Sequence, residues 1–502
     1  MRMIEVKKPF TNNGINFETG HKYVLPEDAE AQFRTTYGNN IGMSYPIDSL
    51  LKPYKGEDLS GKKIITFRFG GIGDITFLNP VLRWLKKKYP TCHITAATAC
   101  KQPLENVPEI DVLLDMPFDV KYLESTDYTC FFQGILESSS EISKKTHAVD
   151  MFFSYFGIDS IQLPSEDKVP KLFFNREEMS WLKETLNNLG IKEENYVIGI
   201  QVESSSPIRN FPKEKLKAAI DLLSMEDNVR IILIGTEPQE IVCQYYKGQN
   251  PNIILATKFT VRQSIVLANR YNMVISPDSF MVQVAGAMEK PLVGLYGPFP
   301  SSVRMKYFKN AIGLDPSVVC SPCFKHDFRP CIKGFPSPCF TQVSADDVLQ
   351  AADYLKFKFT GQHFNYMNRI LKEPDLTDIE QYMLSADKGL AFFPRFFKHP
   401  NIITVDVNPF TGADVKDLSQ PFNREAYPFV IYFDEFQPKY ISLYNNSKGF
   451  VRPGGYFIAY RENGHEALFN DVKMDIGKNF ILLLTKFDPV TKNFIIVGRK
   501  PY

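Results

Sequence analysis

The run Phe69-Gly70-Gly71-Ile72-Gly73-Asp74 lies between an apolar stretch, KKIITFRFG, and an amphipathic one, TFLNPVLRWLKKKYP. Glycines let the backbone approach a ligand closely, and a carboxylate at a helix start can act as a base or cap the helix. Gly71, Gly73 and Asp74 are therefore candidates for phosphate approach and proton transfer, with a tight turn and an N-cap as the plainer alternative. A second turn, Glu203-Ser204-Ser205-Ser206, ends the apolar run YVIGIQVES and leads into Pro207-Ile208-Arg209-Asn210-Phe211-Pro212. Short hydroxyls and a forked guanidinium suit a diphosphate, and a solvated polar loop is the alternative. A third, Ser276-Pro277-Asp278-Ser279-Phe280, opens the helical run MVQVAGAMEK, whose N–H groups and dipole would favour an anion. Glu240, after VRIILIG, is a candidate for a nucleotide ribose or an exposed helix-start residue.

Four cysteines form a second constellation, Cys320-x2-Cys323-x7-Cys331-x7-Cys339. Four thiolates within twenty residues satisfy a tetrahedral Zn or a single Fe, and a site closed by four protein ligands has a structural role. Two disulfides or four free thiols are the other readings. Cys92, Cys100, Cys130 and Cys243 are scattered among apolar residues and read as buried free thiols.

The elements that must hold these turns alternate between apolar strands and amphipathic helices. Residues 1–58 read as a small β-rich appendage ending in a helix, with turn signals at Asn12-Asn13-Gly14 and Thr19-Gly20. Residues 59–178 carry strands at 62–69, 93–99, 111–116 and 128–135, as an open parallel sheet requires. Residues 179–357 carry strands at 196–204, 229–235, 252–259, 272–279 and 291–298. Their continuous apolar character predicts a parallel sheet covered on both faces, with ligands bound beyond the carboxyl ends of the strands. Residues 358–502 read again as α/β. The fold class is thus α/β, with two Rossmann-like domains, a β-rich appendage and a third Rossmann-like domain.

A chain of 502 residues is too long for one core. Its 58 basic and 57 acidic residues leave a net charge of +1, which removes a whole-chain electrostatic case for nucleic-acid binding. The start, MRMIEVKKPFTNNG, has no apolar signal core, and no run is long enough to cross a bilayer, so a cytoplasmic location is expected.

Taken in order, FGGIGDITFLNPVL (69–82), RNFP (209–212) and VISPDSFMVQVAGAMEKPLVGLYGP (274–298) resemble the heptosyltransferases of glycosyltransferase family nine. The resemblance implies a GT-B fold, two facing Rossmann-like domains, over residues 59–357. It implies Asp74 as catalytic base, and Ser204, Ser205 and Arg209 as diphosphate contacts where the family has Thr or Ser and then Lys. Asp278 and Ser279 correspond to the start of a D-[ST]-G-x-x-H donor loop, in which this chain has Phe280 for the Gly and Gln283 for the His. Several members of the resembled family, among them transferases acting on autotransporter proteins, carry a similar cysteine cluster that binds iron. From about residue 385 the chain resembles a class I methyltransferase, with Asp406 at the cofactor ribose and Asp414 at adenine. The Gly-rich loop of that family is reduced to Gly389, so a degenerate domain is expected and S-adenosylmethionine is not.

These readings converge on an inverting transfer of a hexose or heptose from a nucleotide diphosphate sugar to an acceptor hydroxyl, without a catalytic metal. The acceptor is a glycan, a protein or a modified nucleic acid. The alternatives are a nucleotide-sugar epimerase, a non-catalytic binding or structural protein on the same fold, and a methyltransferase.

Overall fold

Four short strands begin the chain: Arg2–Val6 (β1), Phe10–Asn12 (β2), Ile15–Phe17 (β3) and Lys22–Leu25 (β4). After the helix Glu27–Tyr37 a fifth, Ile41–Pro46 (β5), returns to pair with β1, and a single helical turn, Asp48–Leu50, follows it. Ile41 supplies the reason for that pairing, since it is buried beside Ile4, Val6, Phe17, Tyr23 and Leu25 in a small core of its own. The computed structural model describes residues 1–364 except 13–14, 139–144, 317, 326–330, 335–336 and 342, followed by six strands between Gly389 and Arg499. The chain divides into two units, Met1–Leu355 and Lys356–Tyr502.

Within the first unit, Lys63–Phe67 (β6), His93–Thr98 (β7), Val112–Asp115 (β8) and Tyr128–Phe131 (β10) form a parallel sheet in the order β10-β6-β7-β8. The two-residue strand Phe118–Asp119 (β9) leaves this domain and pairs with β4, completing the appendage's sheet β5-β1-β4-β9. The helix Leu78–Lys88 turns Leu78, Val81, Leu82 and Leu85 inward at helical spacing. Lys86, Lys87 and Lys88 occupy its last turn, where cations suit the helix dipole.

The second sheet contains Tyr196–Gln201 (β11), Val229–Ile234 (β12), Ile253–Ala256 (β13), Met273–Pro277 (β14), Leu292–Leu295 (β15) and Ala311–Leu314 (β16). All pairs are parallel, in the order β13-β12-β11-β14-β15-β16. This is the 3-2-1-4-5-6 order of a doubly wound domain, with its switch point between β11 and β14. The edge strand β16 is an addition to the sequence reading, because AIGL is too short and too bare of turn signals to stand out. The molecule is thus α/β with Rossmann-like parallel sheets and a β-rich N-terminal region, as expected.

In the second unit, Gly389–Phe392 (β17), Ile402–Val405 (β18), Tyr427–Phe433 (β19), Val451–Arg461 (β20), Ile481–Phe487 (β21) and Phe494–Arg499 (β22) form the order β18-β17-β19-β20-β22-β21. The first four are parallel, and β22 runs antiparallel to both neighbours. Asp406 and Asp414, assigned to a methyltransferase cofactor, lie outside the described residues.

Candidate active site

The first switch point lies between β6 and β10. The chain leaves β6 through Gly71, whose φ of 77° is left-handed and which starts the helix Ile72–Thr76. A Cβ at Gly71 would stand 2.6 Å from Asp74 Oδ2, so a side chain is excluded by conformation and by space. Asp74 does not cap this helix, since no side chain caps it. Its Oδ2 instead accepts a hydrogen bond of 2.7 Å from Nη2 of Arg68. Arg68 is 3% exposed, and its Nη1 donates to the Phe132 carbonyl at 3.2 Å. Sequence reasoning passed over Arg68, although a lone basic residue in the apolar run KKIITFRFG was the available signal.

At the second switch point the hydroxyls expected to meet a diphosphate have divided roles. Ser204 is buried, its N–H donates to Asn210 Oδ1 at 2.8 Å, and its hydroxyl donates to the Ser206 carbonyl at 2.8 Å. Ser205 is exposed, and its Oγ accepts from Arg209 Nη2 at 3.3 Å. The segment Pro207–Arg209 is a short helical turn with Ile208 and Arg209 both buried, so the solvated-loop alternative is corrected. Arg209 is 8% exposed because its Nη1 reaches across to the Asp278 carbonyl at 2.6 Å.

Asp278 is buried between two guanidiniums, with Oδ2 3.7 Å from Arg209 Nη1 and 3.9 Å from Arg304 Nε. Those separations are ion-pair contacts and exceed hydrogen-bond length, and Oδ2 accepts no hydrogen bond. Arg209 Nε is likewise buried and unpartnered. Burial pulls the Arg209 guanidinium below its usual range and Arg304 adds to this, while Asp278 and Asp74 act in the opposite sense. Arg304, which ends the short helix Ser301–Arg304 and stacks on Phe299, is a second cation that sequence reasoning did not single out.

The helix Phe280–Ala287 follows. Gln201, the last residue of β11, holds its start: Gln201 Nε2 donates to Ser279 Oγ at 2.9 Å, and Gln201 Oε1 accepts from the Met281 N–H at 3.3 Å. The Val282 N–H is taken by the Ser279 carbonyl at 3.1 Å. Two of the N–H groups expected to face a phosphate are thus engaged within the protein. Glu240 begins the helix Glu240–Lys247 and accepts from the Thr257 hydroxyl at 3.3 Å.

The two α/β domains meet at this place. A Cβ on Gly73 would lie 3.1 Å from Gln283 Cγ, so the Asp74 loop rests directly on the helix of the second domain. Gln283 is 5% exposed, and its buried Oε1 has no partner. The arrangement therefore gathers two carboxylates, Asp74 and Asp278, three guanidiniums, Arg68, Arg209 and Arg304, and the amide of Gln283. It can accept a proton at Asp74 and offset negative charge at Arg209 and Arg304.

The loop that carries the cysteines packs against the Arg209 turn, with Ser337 Oγ donating to the Ile208 carbonyl at 3.2 Å. Cys339 is buried, and burial together with neighbouring Cys323 and Cys331 pushes its thiol up to about 11. Among the described residues no group of three or more His, Cys, Asp or Glu side chains is placed to hold a metal ion.

Residues 132–330 match the family model of glycosyltransferase family 9 (heptosyltransferase). A lipopolysaccharide heptosyltransferase 1 of Campylobacter coli is 25% identical over 290 residues, covering 48% of this chain and 85% of the relative. Among solved structures, a family 9 glycosyl transferase from Veillonella parvula aligns with TM-score 0.49 and 20% identity over 60% of this chain and 99% of its own. The ADP-heptose lipopolysaccharide heptosyltransferase II of E. coli aligns with TM-score 0.46 and 15% identity over 59% and 99%. The iron-containing dodecameric glycosyltransferase TibC of enterotoxigenic E. coli aligns with TM-score 0.46 and 15% identity over 71% and 100%. Over residues 132–330 the chain is thus similar to glycosyltransferase family 9 (heptosyltransferase).

Proposed function

We propose that the protein is an inverting glycosyltransferase that moves a sugar, a heptose or hexose, from a nucleotide diphosphate sugar to a glycan hydroxyl. The acceptor oxygen attacks the anomeric carbon as the bond from that carbon to the diphosphate breaks. The hydroxyl proton passes to Asp74, and the diphosphate leaves with the bonding pair. Arg209, Arg304 and the exposed Ser205 hydroxyl meet the charge that grows on the leaving group, so the reading needs no catalytic metal. The observation that carries it is the Asp74 carboxylate, fixed by buried Arg68 on one domain in a loop that rests on the helix Phe280–Ala287 of the other. Asp74→Asn is expected to lower kcat by about 10² to 10⁴ while nucleotide-sugar binding persists. An unchanged kcat would remove Asp74 from this role.

One observation favours the non-catalytic alternative: Ser204 and the Met281 N–H are already engaged within the protein. Turnover of any nucleotide sugar by the purified chain decides against that alternative. A cytoplasmic location belongs to the same proposal, and no helix among the described residues is long and apolar enough to cross a membrane.

Cys320, Cys323, Cys331 and Cys339 are proposed to hold a structural Zn or Fe, a reading supported by the donor chemistry of four cysteines within twenty residues. Elemental analysis should find about one such metal per chain, reduced in Cys323→Ser, and finding neither metal would refute the site. The second unit is proposed as a methyltransferase-like domain without cofactor, for which calorimetry with S-adenosylmethionine should give no binding heat.

A further inference from the structure

We propose that Asp150 and Tyr307 form a latch across the two α/β domains that sets the position of Arg304, which makes both of them positioning residues for the departing diphosphate. The inference rests on the transferase reading above, in which Arg304 offsets charge on the leaving group. Asp150 lies on the helix Ala148–Ser154 of the first domain, and Lys306 and Tyr307 follow the helix Ser301–Arg304 of the second. The Tyr307 hydroxyl donates to the Asp150 carboxylate at 2.7 Å, and Lys306 Nζ donates to Asp150 Oδ2 at 3.1 Å. Asp150 and Tyr307 are both buried, and buried Lys168, also of the first domain, donates to the Tyr307 hydroxyl at 3.4 Å. The Tyr307 ring is held from the side as well. The buried His147 imidazole makes a T-shaped contact with it at 5.1 Å and another with Phe77 at 4.5 Å. Phe77 ends the helix that carries Asp74, so that helix and Tyr307 share one packing partner.

The place of Tyr307 reaches Arg304 along a short hydrogen-bonded stretch of backbone. The Arg304 and Met305 N–H groups donate to the Pro300 and Ser301 carbonyls at 3.2 and 2.8 Å, and the Phe308 N–H donates to the Met305 carbonyl at 2.9 Å. Arg304 and Tyr307 thus stand on consecutive turns, and a shift of one is passed to the other. The Arg304 side chain has only loose contacts of its own, with Nε 3.9 Å from Asp278 Oδ2 and the guanidinium 4.3 Å from the centre of the Phe299 ring. Neither is a hydrogen bond, so the backbone decides where this charge lies. A cation that meets a leaving group acts best when its place is fixed beforehand, and a misplacement of about 1 Å can cost about 10²-fold.

The test is a double-substitution cycle on the full chain, with binding of ADP, GDP and UDP read by calorimetry, because a nucleoside diphosphate is the leaving group itself. Tyr307→Phe keeps the ring and removes the hydroxyl, and Arg304→Met removes the guanidinium. For the diphosphate that the parent binds, Arg304→Met should lose at least about tenfold in affinity and Tyr307→Phe about three- to tenfold. In the Arg304→Met background, Tyr307→Phe should cost less than about twofold, since a latch acting through Arg304 has nothing left to place. Asp150→Asn keeps an acceptor for the hydroxyl and should stay within about twofold of the parent. Should Tyr307→Phe not fold, Lys306→Gln, at an exposed anchor of the same latch, takes its place in the cycle. Equal losses in both backgrounds, or a lowered melting temperature with diphosphate affinity unchanged, would overturn the latch and leave the transferase reading standing. A parent that binds none of the three diphosphates would overturn both.

Discussion

Arg68 and Asp74 show how one pair of residues defines what the site can do. Arg68 has almost no contact with solvent and its Nη1 is tied to the Phe132 carbonyl, so its Nη2 holds the Asp74 carboxylate in one place. Arg68→Met is expected to lower kcat by about 10²-fold through misplacement of Asp74, with donor KM nearly unchanged, and Arg68→Lys should recover part of the loss. Initial-rate measurements on both variants check this, and a Met variant with parental kcat would deny Arg68 a positioning role. Asp74, Arg209 and Asp278 were legible in the sequence because each stands in a turn after an apolar run. Arg304 and Gln201 were not, since each acquires its place from partners brought close only by folding: Asp278 lies 26 residues before Arg304, and Ser279 lies 78 residues after Gln201. The Arg209 loop also looked polar and exposed, and only the structure shows that the guanidinium is buried across from Asp278.

At the scale of elements, the turn from β6 into the helix Ile72–Thr76 imposes the sharpest requirement. Gly71 is left-handed and touches Asp74, so Gly71→Ala meets both a backbone penalty of about 1–2 kcal/mol and a clash with the carboxylate. The variant is expected to melt at lower temperature and to lose activity beyond what its remaining folded fraction explains. Parental kcat together with a lowered melting temperature would mean that the loop rearranges without moving Asp74. The parallel strands were readable because burial on both faces gives continuous apolar runs, as in YVIGI of β11. β5 and β16 were not, because a strand at the edge of a sheet carries a weaker pattern than one in its middle.

Across the first unit, Arg262 joins distant parts of the chain. It donates to the Gln102 carbonyl at 2.9 Å and the Phe173 carbonyl at 2.6 Å, and it pairs with Glu178 at 2.6 Å and Glu105 at 3.1 Å. Burial acts to raise the Glu178 carboxyl, and the hydrogen bonds from Arg262 and the Asn175 N–H outweigh it, leaving Glu178 below the usual carboxylate range. A carboxyl depressed in the folded state stabilises the fold above its unfolded pKa of about 4.3, and that contribution is lost as pH falls through the lower folded value. Glu178→Gln is therefore expected to be less stable than the parent at neutral pH by about 1–2 kcal/mol, with the difference narrowing in acid. Denaturant titrations at neutral and acid pH measure it, and a difference independent of pH would assign the effect to something other than this charge.

The sheet β5-β1-β4-β9 takes its last strand from Phe118–Asp119, and Val24 and Ile47 share a core with Ile65, Phe67, Ala97 and Phe118. During synthesis the first 58 residues thus leave the ribosome before the segment that completes their sheet has been made. They wait with the far edge of β4 unpaired until residue 119 has emerged, so a sheet begun before β6 is finished only after β8 has been made.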